Sequence, residues 1–248
     1  MGWKRAGTVA AGTGAILAIT LGGCAAMQAD RTPEELFSLA VSGLAAQDSY
    51  SFSGFSTSAG SSAAKTQFKG EVQRHEGVRL LESREGEADM LETEGGIPAG
   101  YNPAWLLGRL LDSKAAVALD AANSEAGRAV LIIRPNPAEA GKIWRSRLQD
   151  QWSRIESSSP EDSEVWGRLD GSRQAELKRE WNRELMRSAG QWQEMMDSLS
   201  ADSSYTLVVD RSKLVPLKLA ENADLHYRLD GNKADEQRKT EFLFQLNH

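Results

Sequence analysis

The feature that most constrains this chain is a change of hydrophobic period near residue 48. Leu36, Leu39, Ala40, Gly43 and Leu44 recur at the spacing of one helical face, whereas Tyr50, Phe52 and Gly54 alternate with Ser51 and Ser53. A period near 3.6 followed by a period of 2 means a helix that hands the chain to a half-buried sheet. Thr32-Pro33-Glu34-Glu35 supplies the helix start, with Thr32 as N-cap, Pro33 in the first turn and Glu35 as capping-box acid, so a helix is expected over 32–46. Alternation resumes at Phe68, Gly70 and Val72 beyond the Ser/Gly/Ala turn at 59–64, then in short segments at 78–83 and 88–92, the pattern of an antiparallel meander. Glycines inside two of these strands, Gly54 and Gly70, mark expected bends or bulges.

Further along, Asn102-Pro103 opens a second helix containing Trp105, Leu106, Leu110 and Leu111, and strands are expected at 115–121 and 128–134. Asn136-Pro137, with Glu139 read as a capping-box acid, starts a third helix carrying Trp144, Leu148, Trp152 and Ile155 on one stripe. After the polar break at 157–162, Leu177, Trp181, Leu185, Ser188, Trp192, Met195 and Leu199 define a long helix over about 173–199. Four strands are expected to finish the chain, at 205–210, 214–220, 225–229 and 240–246, with Asp230-Gly231-Asn232 as a turn. Helices interspersed among strand runs of this kind make an α+β fold, a curved antiparallel sheet with helices on one face.

The N-terminus has a separate logic. Met1-Gly2-Trp3-Lys4-Arg5 precedes an uncharged run from Ala6 to Thr20, then Leu21-Gly22-Gly23-Cys24, the order of a basic, an apolar and a small-residue region in a secretory leader. The run is short of the roughly 20 residues a spanning helix needs. Leu21-Gly22-Gly23-Cys24 resembles the bacterial lipobox, and the resemblance implies that residues 1–23 are a lipoprotein signal peptide and that Cys24 carries a diacylglyceryl group. Two acyl chains have the strength that stable anchoring requires. Residues 24–31 are then a lipidated tether, and the seven from Ala25 to Arg31 reach about 25 Å when extended. The expected location is the extracytoplasmic face of the cell membrane, with one domain over 32–248 that includes a long helical insertion near 160–200.

Composition narrows the function. The chain has 248 residues with 29 Lys and Arg against 35 Asp and Glu, and loss of Lys4 and Arg5 with the leader would make it more acidic by two charges. A broad electrostatic footprint for nucleic acid is not expected, and such a body should be repelled by an anionic lipid surface rather than lie flat upon it. One cysteine allows no internal disulfide and no Cys-rich zinc module, and His75, His226 and His248 are scattered without metal-ligand spacing. Ser62-Ala63-Ala64-Lys65 satisfies the SxxK spacing of penicillin-recognising serine enzymes but lies in a turn, with no SDN or KTG partner downstream. Glu34/Glu35 and Glu161/Asp162 sit at a helix start and in a loop, where capping and solvation explain them. No catalytic constellation, metal site or cofactor is expected.

The element order is similar to the LolA-like superfamily of periplasmic and cell-surface lipid-handling proteins, including mycobacterial lipoproteins of the LppX type. The likeness rests on Ser49-Tyr50-Ser51-Phe52-Ser53-Gly54 after the opening helix, on Asn102-Pro103-Ala104-Trp105-Leu106-Leu107, and on Tyr205-Thr206-Leu207-Val208-Val209-Asp210-Arg211 running into Val215-Pro216-Leu217-Lys218. It implies a half-barrel whose concave face is covered by helices and holds a lipid or acyl chain. The lining it implies is Phe52, Phe68, Trp105, Leu106, Trp181, Trp192 and Met195. Ordinary helix–sheet core packing explains the same aromatic residues, and Met fills cores as readily as it lines adaptable sites. Two functions therefore stand: an anchored protein with an apolar ligand, and an anchored interaction module that engages an envelope protein through its long helix. A continuous apolar interior volume of several hundred Å³ would favour the first, and a filled core the second.

Overall fold

The computed structural model describes residues 31–59, 64–73, 77–84 and 98–246. Residues 1–30, which include the leader, Cys24 and nearly all of the tether, lie outside the described residues, as do the strand expected at 88–92, His75, His248 and Ser62-Ala63 of the SxxK spacing. From Thr32 onward the chain forms one compact unit. It is an α+β fold: one open, curved sheet of eight antiparallel strands, with four helices among the described residues.

The strands are β1 (Ser49–Ala59), β2 (Ala64–Gln73), β3 (Gly77–Arg84), β4 (Ala116–Leu119), β5 (Arg128–Arg134), β6 (Ser200–Asp210), β7 (Val215–Leu229) and β8 (Asn232–Leu246). Their order across the sheet is β3-β2-β1-β8-β7-β6-β5-β4. Two meanders are thus joined edge to edge by the first and last strands, with Phe52 opposite Phe244 and Gly54 opposite Phe242. The helices are α1 (Pro33–Ala45), α2 (Pro103–Asp112), α3 (Pro137–Ser157) and α4 (Gly171–Ser198).

Capping chemistry sets the helix starts. Thr32 and Glu35 close the expected capping box, with the Glu35 carboxylate accepting from the Thr32 backbone N–H at 3.0 Å. Asn102 caps α2 by accepting from the Trp105 N–H, and Asn136 caps α3 by accepting from that of Glu139. Glu139 departs from its expected role, because its carboxylate meets Lys142 Nζ at 2.6 Å.

Alternate residues of each strand face the helices. Tyr50 and Phe52 of β1, Phe68 of β2, Leu207 and Val209 of β6, Leu219 of β7 and Phe242 and Phe244 of β8 form one core with Leu36, Phe37, Ala40 and Leu44 of α1 and Leu106, Leu107 and Leu110 of α2. Two glycines make room for this aromatic centre. Phe52 stands opposite Gly70 and Phe68 opposite Gly54 in the β1–β2 register, and a Cβ would lie 2.4 Å from the Phe52 ring at Gly70 and 2.8 Å from the Phe68 ring at Gly54. The register shifts at Lys69/Gly70, the expected irregularity, whereas Gly54 sits in regular pairing and serves as a seat for the ring.

The finish of the chain corrects the sequence reading. Three long strands replace the expected four, since 214–220 and 225–229 belong to one 15-residue β7. The gap expected between them holds Glu221, which is buried and faces inward in phase with Leu219, Ala223 and Leu225. A charge at an inward position continues a strand only if something across the core satisfies it.

Candidate functional site

The seven residues expected to line a ligand groove separate into two groups. Phe52, Phe68 and Leu106 are buried in the main core, each no more than 2 % exposed, and half-buried Trp105 packs against them. The Phe68 ring lies 5.4 Å from Phe242 and 5.0 Å from Tyr101, so the aromatic side chains fill this region by contacting one another. Trp181, Trp192 and Met195 sit on α4, all half-buried and outside that core.

The second group belongs to a helical hairpin. Trp192 of α4 stacks on Trp152 of α3, with centroids 5.4 Å apart and planes inclined by 19°. Arg145 of α3 reaches the end of α4, donating from Nη2 to the Leu199 carbonyl at 2.5 Å, which places a cation where the helix dipole is negative. Ser198 Oγ accepts from the Arg228 N–H at 2.8 Å, and Glu194 accepts from that of Gly231 at 2.9 Å, tying the same end to the β7–β8 hairpin. Leu199 then enters a smaller cluster with Ala140, Trp144, Ala201, Ala223 and Leu225.

The first half of α4 is held differently. Lys178 Nζ meets Glu161 at 2.5 Å and Gln174 donates to the Trp166 and Leu169 carbonyls, so the connecting segment folds back along the helix. None of its 28 residues is buried. Met186 is 71 % exposed and Leu177 37 %.

Between α3 and the sheet lies a polar group that the sequence reading missed. Arg147 of α3 donates from Nη1 to both carboxylate oxygens of Glu221 on β7, at 2.9 and 2.8 Å, and the two side chains are 3 % and 0 % exposed. The guanidinium carbon lies 4.7 Å from the centroid of the Trp144 ring and 5.9 Å from that of Trp105. Trp144 donates from Nε1 to Ser203 Oγ on β6 at 3.0 Å. Burial alone would favour the neutral guanidine, but the adjacent Glu221 carboxylate reverses that and holds Arg147 above its ordinary pKa. Burial, then Glu221, push the Tyr205 phenol well above its ordinary value. Arg147 Nε and Nη2 and the Tyr205 hydroxyl have no hydrogen-bond partner among the described residues.

A signal for this pair does exist in the sequence. Arg147 falls on the stripe of Ala140, Ile143, Trp144 and Trp152, and Glu221 has the inward parity of β7, so each is a charge at an apolar position. The pair orients α3 on the sheet. Among the described residues no group of His, Cys, Asp and Glu is arranged to hold a metal ion. His226, exposed on β7, meets Asp235 at 2.6 Å across the β7–β8 ladder.

No family model matches the chain, and no curated protein matches it. Among solved structures, an acyl-CoA thioesterase II from Mycobacterium marinum aligns over 86 % of this chain and 90 % of its own, at 10 % identity and a TM-score of 0.15, a likeness that carries no argument about fold or function.

Proposed function

We propose that this chain is a lipid-anchored extracytoplasmic interaction module without catalytic chemistry, held at the membrane through Cys24 and engaging an envelope protein through the α3–α4 hairpin. The observation that carries the reading is the 28-residue α4, about 42 Å long, in which no residue is buried although Leu177, Trp181, Leu185 and Met186 are apolar. A surface helix normally buries a continuous apolar face, and one that does not has its packing surface available. The lipobox resemblance supplies the anchor. The burial of Phe52, Phe68 and Leu106 against their neighbours supports a module over an acyl carrier, since an acyl chain would have to displace core contacts.

A photo-crosslinking side chain at Met186 in living cells tests the hairpin. A discrete adduct with an envelope protein that Leu177→Asp abolishes, with none from the same probe at exposed Asn123 in the β4–β5 turn, is expected. Native mass spectrometry of protein purified from its own cells tests the competing reading: a stoichiometric non-covalent acyl lipid, with no Met186 adduct, would replace the module with a carrier. Cys24→Ala should move the chain out of the detergent phase, and unchanged partitioning would remove the anchor.

A further inference from the structure

The two edges of the sheet are built differently. β3 carries Arg79, Glu82 and Arg84 and pairs with β2 through a register shift, devices that keep an edge from accepting a further strand. β4 reads Ala116-Val117-Ala118-Leu119 without a charge, and among the described residues it pairs with β5 alone. Ala116 and Ala118 are exposed, and Leu119 is 39 % exposed. The ladder fixes which backbone groups face the free edge. The Asp120 N–H donates to the Val130 carbonyl at 2.8 Å, and bonded pairs in an antiparallel ladder recur at every second residue. Ala116 and Ala118 therefore bond toward β5, whereas the N–H and C=O of Val117 and Leu119, and by the same alternation those of Ala115, point away from it. Lys114 precedes this uncharged run and Asp120 follows it. Lys114 is exposed, and half-buried Asp120 accepts from the Asn123 N–H and side-chain amide.

We propose that β4 pairs with β4 of a second copy of this chain, antiparallel about a two-fold axis through Val117, so that the two sheets become continuous. Backbone parity and charge select this occupant. Centred on Val117, the pairing sets Val117 opposite Val117 and Ala115 opposite Leu119, the residues whose N–H and C=O face the edge, so each donor meets an acceptor. Ala115 and Val117 pack toward the core, and an axis perpendicular to the sheet keeps the helices of both copies on one face. The same register brings Lys114 beside Asp120 of the second copy, once at each end. The neighbouring acids do not oppose this: Asp112 falls opposite uncharged Ala122, and Glu125 is turned back toward β5 by its bridge to Arg128. Arg134, opposite Ala116, lies one strand in from the edge. An unrelated strand longer than the uncharged run meets a cation at one end and an acid at the other, whereas a second copy brings the opposite charge to each. The contact is small and belongs with weak, transient interfaces. It uses neither the α3–α4 hairpin nor the anchor.

The test uses the full chain as its own cells make it, in detergent micelles. Sedimentation equilibrium should show a dimer that dissociates on dilution. Amide exchange read by NMR should slow at least about fivefold at Val117 and Leu119 between dilute and saturated samples, the effect of one added backbone hydrogen bond. The Ala118 amide, already bonded to β5, should not change. Lys114→Glu sets like charges together at both ends and should weaken association at least about tenfold, and adding Asp120→Lys should recover most of that loss. Lys233→Glu, at the β7–β8 hairpin, should leave association as it is. Should Asp120→Lys disturb the Asn123 turn, Lys114→Glu and the exchange rates of the parent chain decide. A monomer at every concentration up to about 1 mM overturns the proposal. So does a dimer, joined by its anchors or by another face, in which Val117 exchange stays fast and Lys114→Glu changes nothing.

Discussion

Arg147 and Glu221 give the sharpest test of the packing described above. Arg147→Met leaves the Glu221 carboxylate in a site where its side chain is 0 % exposed, with its guanidinium partner gone. An uncompensated charge of this kind costs about 3–5 kcal/mol. Glu221→Leu leaves a buried guanidinium, two of whose nitrogens already lack partners among the described residues, and should cost a similar amount. The double substitution removes both charges and fills the site with apolar volume between Trp105, Trp144 and β7, so its stability should lie between the parent's and about 4 kcal/mol above it. The singles are then far from additive, with a coupling of more than about 3 kcal/mol, as expected for groups in direct contact. Each single loss is a large part of a typical domain stability of about 5–15 kcal/mol. Urea unfolding followed by circular dichroism measures all four proteins, and an unchanged slope ensures that the same transition is compared. Losses below about 1 kcal/mol in both singles, or additive effects in the double, would refute the buried ion pair as the element that seats α3.

Three further outcomes are expected. Tyr50 and Tyr205 are held above their ordinary pKa, chiefly by burial, so the folded state keeps both protons while the unfolded chain loses them above pH 10; stability should therefore fall by about 1.4 kcal/mol per pH unit per tyrosine above that pH, and Tyr50→Phe with Tyr205→Phe should flatten the alkaline limb. Gly70→Ala would put a Cβ 2.4 Å from the Phe52 ring and 2.8 Å from the Arg79 carbonyl oxygen, so thermal unfolding should show a loss of about 1–3 kcal/mol, whereas Gly190→Ala on α4 meets open space and should stabilise by up to about 1 kcal/mol. Trp144→Ala, at 3 % exposure, should cost about 3–5 kcal/mol in urea unfolding, and a similar loss for half-buried Trp181→Ala would contradict the exposed first half of α4.

Much of the architecture is legible before any coordinates because local chemistry and periodicity agree. Thr32, Asn102 and Asn136 mark helix starts through donors they satisfy within three residues, and Tyr50, Phe52, Phe68, Phe242 and Phe244 face inward by parity alone. What the sequence hides is long-range. Arg147 and Glu221 are 74 residues apart, and until α3 is laid across β7 each looks like an interruption of its own element. That is why one strand reads as two. The groove expected from Phe52, Phe68, Trp105, Leu106, Trp181, Trp192 and Met195 depends on α4 lying beside the main core, and periodicity cannot say where along its length a helix is packed. The structure seats only the end of α4, through the Trp152–Trp192 stack and the β7–β8 hairpin.

Residues out of phase with their element therefore hold the information that pattern reading discards. Inward charges are Arg147, Glu221 and, on β8, Arg238 and Glu236, which meet each other at 2.7 Å; all four gather where α3 crosses the sheet, and Arg238 also lies 5.6 Å from the Trp144 ring centroid. Outward apolar side chains include Phe55 and Leu243, which line one depression on the opposite face of the same sheet. The two sets differ in what satisfies them. Each inward charge has a partner within the fold, which makes that set a device for seating α3. Half-buried Phe55 and the 43 % exposed Leu243 meet solvent instead, as the first half of α4 does, so packing within the fold does not account for their apolar character.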